Sequence, residues 1–171
     1  MNKINEPLSS SKVRSALGDT CRILKYSELA DYENIKDLLP KVNDFVILLL
    51  EDSENHGHWT ALMNSKNGYY YFNSYGKKYD SDLSVIPMCI NRILGQDKRE
   101  ITRLLDGKSC NWNKKCFQGP KSQTCGRWCV IAITLICMMG YSPTEAEQYI
   151  IDKSELLGKG YDEFVAKFVS I

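Results

Sequence analysis

Histidine is nearly absent from this chain. His56 and His58 are the only two among 171 residues, and both fall in the stretch NHGHWTALM. Any imidazole base has to come from there. An excess of charge of one sign is also lacking. The formal net charge is +1, so bulk charge gives no ground for a nucleic-acid binder. Local basic spots remain at Lys77 and Lys78, at Lys114 and Lys115, and at Lys121 with Arg127. They read as solvated faces, with a weak nucleic-acid contact as the alternative. No apolar run approaches the roughly 20 residues of a membrane-spanning helix, and the longest, Val130 to Met139, is short enough for a core helix. No N-terminal apolar stretch suggests a signal peptide. Repeats, low-complexity tracts and linkers are missing too. The expectation is a single domain over residues 1–171, with enough chain for a real core, acting without the membrane and as a monomer. Seven cysteines is an odd number. Without a secretory segment, free thiols in a reducing compartment are the simpler reading. Cys89 and Cys137 lie on apolar faces and read as plain core residues.

The residues that are present order themselves into alternating elements. Met1 to Pro7 is polar and reads as loose. Ser9 to Ser11 offers caps for a short helix ending at Gly18. Cys21 to Leu24 reads as a strand, and Tyr26 to Leu39 as helix, in one or two pieces, with Ser27 and Asp31 as caps and Pro40 as the stop. Phe45 to Leu50 is apolar throughout, as a strand buried on both faces would be. Glu51 to Gly57 reads as polar loop. His58 to Met63 and Tyr69 to Phe72 read as two strands joined through Asn67-Gly68, a hairpin signal. Leu83 to Leu94 is amphipathic but broken by Pro87. Ser142-Pro143-Thr144-Glu145 has the composition of a helix start, and Tyr161 to Val169 reads as a last helix. The fold class is α+β: a central, mainly antiparallel sheet flanked by helices.

One stretch stands out, FQGPKSQTCGRWC, from Phe117 to Cys129. It places Cys125 at the first turn of the apolar helix, where unpaired N–H groups and the dipole favour a thiolate. Gln118, seven residues earlier, can return an amide N–H to the same spot. His58 opens one strand of the hairpin and Asn73 closes the other. A nucleophile, a base, an orienting group and an oxyanion donor are thus available as Cys125, His58, Asn73 and Gln118. Trp59 follows the base and Gly126 the nucleophile, which suggests a narrow slot that admits glycine. His56 reads as a surface residue, and Cys129, one helical turn beyond Cys125, as packed inside.

The segments GHWTAL, YYYFNSYG and QGPKSQTCGRWC together resemble the adenovirus protease family. They also resemble the related Ulp-type SUMO proteases, in which the glutamine lies six residues before the cysteine. CRILKYSEL and VILLLE look like the small virophage and large-transposon maturation proteases of this group. The resemblance covers most of Cys21 to Met139. It implies that His58, Asn73, Gln118 and Cys125 carry the four catalytic roles, and that Trp59 covers a channel for the substrate's glycines. It further implies a cysteine endopeptidase that cuts viral precursor proteins after glycine during virion maturation. The place implied is the host cytoplasm or nucleus at the assembly site, or the virion itself. Asn73 departs from the Asp or Glu of many relatives, and on the sequence alone Asn73→Asp is expected to keep or raise activity. No cofactor is implied by the residues themselves. Two other readings compete: a protease removing ubiquitin-like modifiers, and a zinc-binding interaction module drawing on Cys110, Cys116, Cys125, Cys129 and His58. The spacing is poor for zinc, whose structural sites use close ligand pairs, so no metal ligand is assigned.

Overall fold

The computed structural model describes residues 3–170. Their elements run β1 (Arg22–Lys25), β2 (Phe45–Ser53), β3 (His56–Ser65), β4 (Gly68–Phe72) and β5 (Cys110–Trp112). The helices are α1 (Ser10–Leu17), α2 (Ile35–Leu38), α3 (Met88–Ile93), α4 (Glu100–Leu105), α5 (Cys125–Ile133), α6 (Pro143–Leu156) and α7 (Tyr161–Phe168). The five strands form one sheet in the order β1-β2-β3-β4-β5. The fold is α+β, and the sheet is mixed. The long central pairings, β2 with β3 and β3 with β4, are antiparallel, whereas the short edge strands β1 and β5 pair in parallel. The mainly antiparallel expectation therefore holds for the hairpins and fails at both edges. Each edge strand is separated from its partner by helical turns, so it arrives by a crossover and lies parallel.

Both faces of the sheet are covered. Ile47, Ala61, Met63, Tyr70 and Phe72 point to α5, α1, α6 and α7. Val46, Leu48, Leu50, Leu62 and Tyr71 point the other way, to α2, α4 and the 3₁₀ turn Tyr26–Asp31. This two-sided burial is why β2 is apolar at every position from Val46 to Leu50. Trp128 is wholly buried, stacked on Phe117 with ring centroids 5.2 Å apart and flanked by Tyr161 and Phe164.

Local signals mostly act as their chemistry requires. Ser9 caps α1, and Ser142 with Glu145 forms a capping box at α6, each oxygen accepting an otherwise unpaired N–H. In Tyr26 to Leu39 the helix is indeed in two pieces. Its second piece is capped by Asn34, whose side chain accepts from Lys36 and Asp37, rather than by Ser27 or Asp31. Glu51 to Gly57 is not a loop. β2 continues to Ser53, and a two-residue turn at Glu54-Asn55 leads straight into β3. The polar residues there satisfy the hairpin end: the Glu51 carboxylate accepts the Asn55 N–H, and the buried Gln96 amide bonds both the N–H and the C=O of Glu51. The second hairpin turns at Lys66-Asn67, with Gly68 as the first residue of β4. Cys137 is buried as expected, but Cys89 is exposed on α3. Of the segment expected to be loose, Met1 and Asn2 lie outside the described residues. The part from Lys3 to Pro7 is held, because Ile4 C=O accepts from Gln123 N–H and Glu6 C=O from the Arg127 guanidinium.

Candidate active site

The register places His58 beside Asn73. β3 and β4 pair with Ala61 opposite Phe72. The next step sets Asn73 opposite Thr60, on the same face of the pleat as His58. From there Asn73 Oδ1 lies 2.9 Å from His58 Nε2. Asn73 is wholly buried and held at every polar atom. Its main chain exchanges hydrogen bonds with the Asn113 amide, its Oδ1 also accepts from Tyr75 N–H at 3.0 Å, and its Nδ2 donates to Asp82 Oδ2 at 2.7 Å. With Nε2–H donating to Asn73, the Nδ1 of His58 is left as the free basic nitrogen. The Tyr75 ring lies against the imidazole, centroids 4.9 Å apart.

The opposite parity sends Trp59 toward α5. Its ring packs against that side of the core, with its Cδ1 close to Gly126 at the start of α5. Cys125 is the first residue of α5, where its own N–H and that of Gly126 favour negative charge on the sulfur. The position expected from the sequence is thus occupied. The expected lowering of the thiol is not found, however. Burial pushes the Cys125 pKa up, and nearby backbone N–H groups pull it back only in part. His58 moves the other way. Burial lowers its pKa, against the upward pull of Asn73 and Asp82, and Lys77 lowers it further. Both shifts run against an ion pair, burial favouring the thiol at Cys125 and the neutral imidazole at His58.

Gln118 is buried, its Oε1 accepting from Ser74 Oγ at 2.6 Å and its Nε2 donating to Ser122 C=O at 2.8 Å. An amide nitrogen carries two hydrogens, so one remains for the cleft. The loop between Gln118 and Cys125 is pinned from α7: Asp162 accepts from Gly119 N–H, Ser122 Oγ and Thr124 Oγ1. His58, Trp59, Gln118 and Cys125 all line one cleft of about 650 Å³. Asn73 stands behind it, out of contact with the opening.

Gly126 is needed for close approach. A Cβ there would come 3.1 Å from Leu8 Cβ and 3.6 Å from Trp59 Cδ1. Leu8, from the chain before α1, thus faces Trp59 across the start of α5. Three residues of the site were missed in the sequence: Leu8, Tyr75 and Asp82. Leu8 carries no local signal, since its place depends on the N-terminal segment folding back. Tyr75 and Asp82 sit in turn material, where spacing predicts nothing.

Other sequence-based candidates are resolved. His56 is exposed and pairs with Asp52. Cys129 is buried in the core, and Cys110 is buried on β5 with its pKa pushed up to about 12. Among the described residues no three His, Cys, Asp or Glu side chains converge where they can hold a metal. The zinc module is left without a ligand set there. Of the basic spots, Lys77 pairs with Asp82, while Lys78 and Lys114 lie over the Trp112 ring. Arg127 is wholly buried, so it forms no surface patch with Lys121. Among the described residues no helix is long and apolar enough to cross a membrane.

The chain is 32% identical over 163 residues to the uncharacterized protein V9 of Sputnik virophage, a match spanning 92% of this chain and 91% of that one. It belongs to the family of that viral protein. No family model matches the sequence.

Proposed function

We propose that the protein is a cysteine endopeptidase that cuts virion precursor proteins after glycine. The observation that carries this reading is the His58–Asn73 hydrogen bond beside a cleft that also holds Cys125 at the start of α5. In the proposed reaction His58 Nδ1 takes the thiol proton of Cys125, and the sulfur bonds to the carbonyl carbon of the residue before the cut. The carbonyl oxygen becomes an oxyanion, stabilised by the free N–H of Gln118 and by the N–H groups at the start of α5. Collapse breaks the C–N bond, and the protonated His58 delivers its proton to the leaving amine. Water, deprotonated by the same Nδ1, then releases the acyl group and restores the thiol.

Preference for glycine is part of the proposal, assigned to a slot beside Leu8 and Trp59, which line the cleft together with Cys125. The relative is a viral protein, and a viral precursor as substrate, with the assembly site or virion as the place of action, is part of the same proposal. A weak nucleic-acid contact through Lys78 and Lys114, and a monomeric state, belong to the same proposal. A ubiquitin-like modifier ending in glycine would fit the same slot, so the two substrate classes are separated by experiment. The test is mass spectrometry of a peptide library, of candidate capsid proteins and of modifier fusions, each incubated with the protein and with Cys125→Ala. Cuts after glycine in capsid proteins, lost in Cys125→Ala, are expected. Cuts only in modifier fusions would move the substrate class, and equal cutting after Ala, Leu or Lys would remove the slot. Cleavage that survives Cys125→Ala would overturn the nucleophile.

A further inference from the structure

We propose that Asp82 is a positioning residue that makes Asn73 act as an acceptor toward His58 and so fixes the imidazole tautomer needed for catalysis. The inference rests on the protease reading for its functional meaning, and on geometry alone for the tautomer.

A carboxamide is nearly symmetric in shape, and its two orientations have opposite consequences here. With Oδ1 toward His58, Nε2 must carry the proton and Nδ1 is free to act as base. With Nδ2 toward His58, Nε2 must accept. The ring proton then moves to Nδ1, and the imidazole cannot take a proton from a thiol. An asparagine alone does not choose between these states; its surroundings do. The buried contact from Asn73 Nδ2 to Asp82 Oδ2, at 2.7 Å, makes the choice. An ionised carboxylate only accepts, so flipping the amide would set Oδ1 against Oδ2, oxygen to oxygen. The Tyr75 N–H at 3.0 Å from Oδ1 favours the same orientation from the other side.

Asp82 is itself held. It is buried, and its Oδ1 lies 3.4 Å from Lys77 Nζ. The 3₁₀ turn that carries it, Ser81–Val85, starts from Asp80. The Asp80 carboxylate accepts from the buried Tyr26 hydroxyl at 2.6 Å and from the N–H and hydroxyl of Thr102. This ties the turn to α4 and to the 3₁₀ turn after β1. Asp82 also brings the negative charge that Asn73 lacks close to the imidazole, one neutral amide removed. Together Asn73 and Asp82 form a split version of a single orienting carboxylate.

The arrangement changes the expectation for Asn73→Asp. Two carboxylates would stand about 2.7 Å apart and share one proton, so a gain is expected only when Asp82 is neutralised as well. The full chain with Asp82→Asn and with Asn73→Asp plus Asp82→Asn forms the test. In Asp82→Asn the neighbouring amide can donate as well as accept, so the selection weakens to what the Tyr75 N–H alone supplies. Its kcat should fall about tenfold or more with KM little changed, as when an orienting partner is lost. The paired variant should regain most of the rate, because the carboxylate introduced at position 73 then accepts both from His58 and from the amide introduced at position 82. A structural role for Asp82 through Lys77 would give no such rescue.

The second readout is the ¹⁵N NMR spectrum of His58 at about pH 8, where an ordinary histidine is neutral. In the native chain a protonated Nε2 and an unprotonated Nδ1 are expected, with the population shifting toward protonated Nδ1 in Asp82→Asn. A native Nδ1–H tautomer, an unchanged spectrum and rate in Asp82→Asn, or a paired variant no faster than Asp82→Asn would each overturn the proposal. If the native chain cleaves nothing while the tautomer shifts as described, the role of Asp82 stands and the protease reading fails. If the native chain cleaves but the tautomer and rate ignore Asp82, the reverse holds.

Discussion

Burial of His58 and Cys125 in one cleft sets how the site responds to pH. Burial drives the His58 pKa below its ordinary value, and the same cause drives the Cys125 thiol above its own. On the protease reading, His58 works as a base only when unprotonated. The acid limb of kcat is therefore expected below the ordinary histidine value of about 6.5. Asp82→Asn should move that limb further down, since it removes a charge that favours the imidazolium, while Lys77, Tyr75, Asp52 and Cys125 remain around the ring. A kcat–pH profile measured on both proteins checks this, and a limb that rises in the variant would contradict it. At this scale the sequence was legible where a residue's place follows from strand pairing. His58 and Asn73 are fifteen residues apart and meet because one hairpin brings them together. Asp82 was not legible, because the nine residues from Asn73 to it form irregular turns with no period to read.

At the scale of elements, the decisive contact is between the loop before α5 and the first turn of α7. Asp162 accepts three hydrogen bonds from Gly119, Ser122 and Thr124, and Ser122 in turn accepts from Gln118. Asp162→Ala should free this loop without touching the His58 side. The expected result is a fall in kcat of about ten- to a hundredfold, with little change in His58 NMR signals. Loss of the His58–Asn73 signature in that variant would show that the two halves of the site are not independent. The elements themselves were readable where chemistry is local, as in the Ser142–Glu145 box of α6 and Gly18 after α1. The hairpin at Glu54-Asn55 was not, because Glu51, Asn55 and Gln96 are polar residues that satisfy strand termini, and polarity alone reads as loop.

For the whole molecule, α5 is both the floor of the cleft and the centre of one core layer. Cys125 and Trp128 lie within a single turn of it, the first in the cleft and the second wholly buried among Phe117, Tyr161 and Phe164. Trp128→Ala should cost about 3–5 kcal/mol of stability, the usual range for a buried large aromatic. Denaturant unfolding measures it, and a loss below about 1 kcal/mol would mean that the layer repacks. The two-layered core was legible from the unbroken apolar run of β2. The mixed sheet was not, because nothing in β1 or β5 records the direction from which each strand enters.

The dependence of the Cys125 loop on Asp162 has a consequence for the time at which the site is completed. Synthesis proceeds from residue 1 upward, so the hairpin, Gln118 and Cys125 all leave the ribosome before Asp162. Until then Gly119, Ser122 and Thr124 lack their shared acceptor, and the loop that carries Gln118 is held only by its contacts to Ser74 and Ile4. On the protease reading, a nascent chain that already contains nucleophile and base is accordingly a poor enzyme, and a truncation before α7 should behave like one. On that same reading, competence would await one carboxylate, and neighbouring nascent chains would be spared premature cutting.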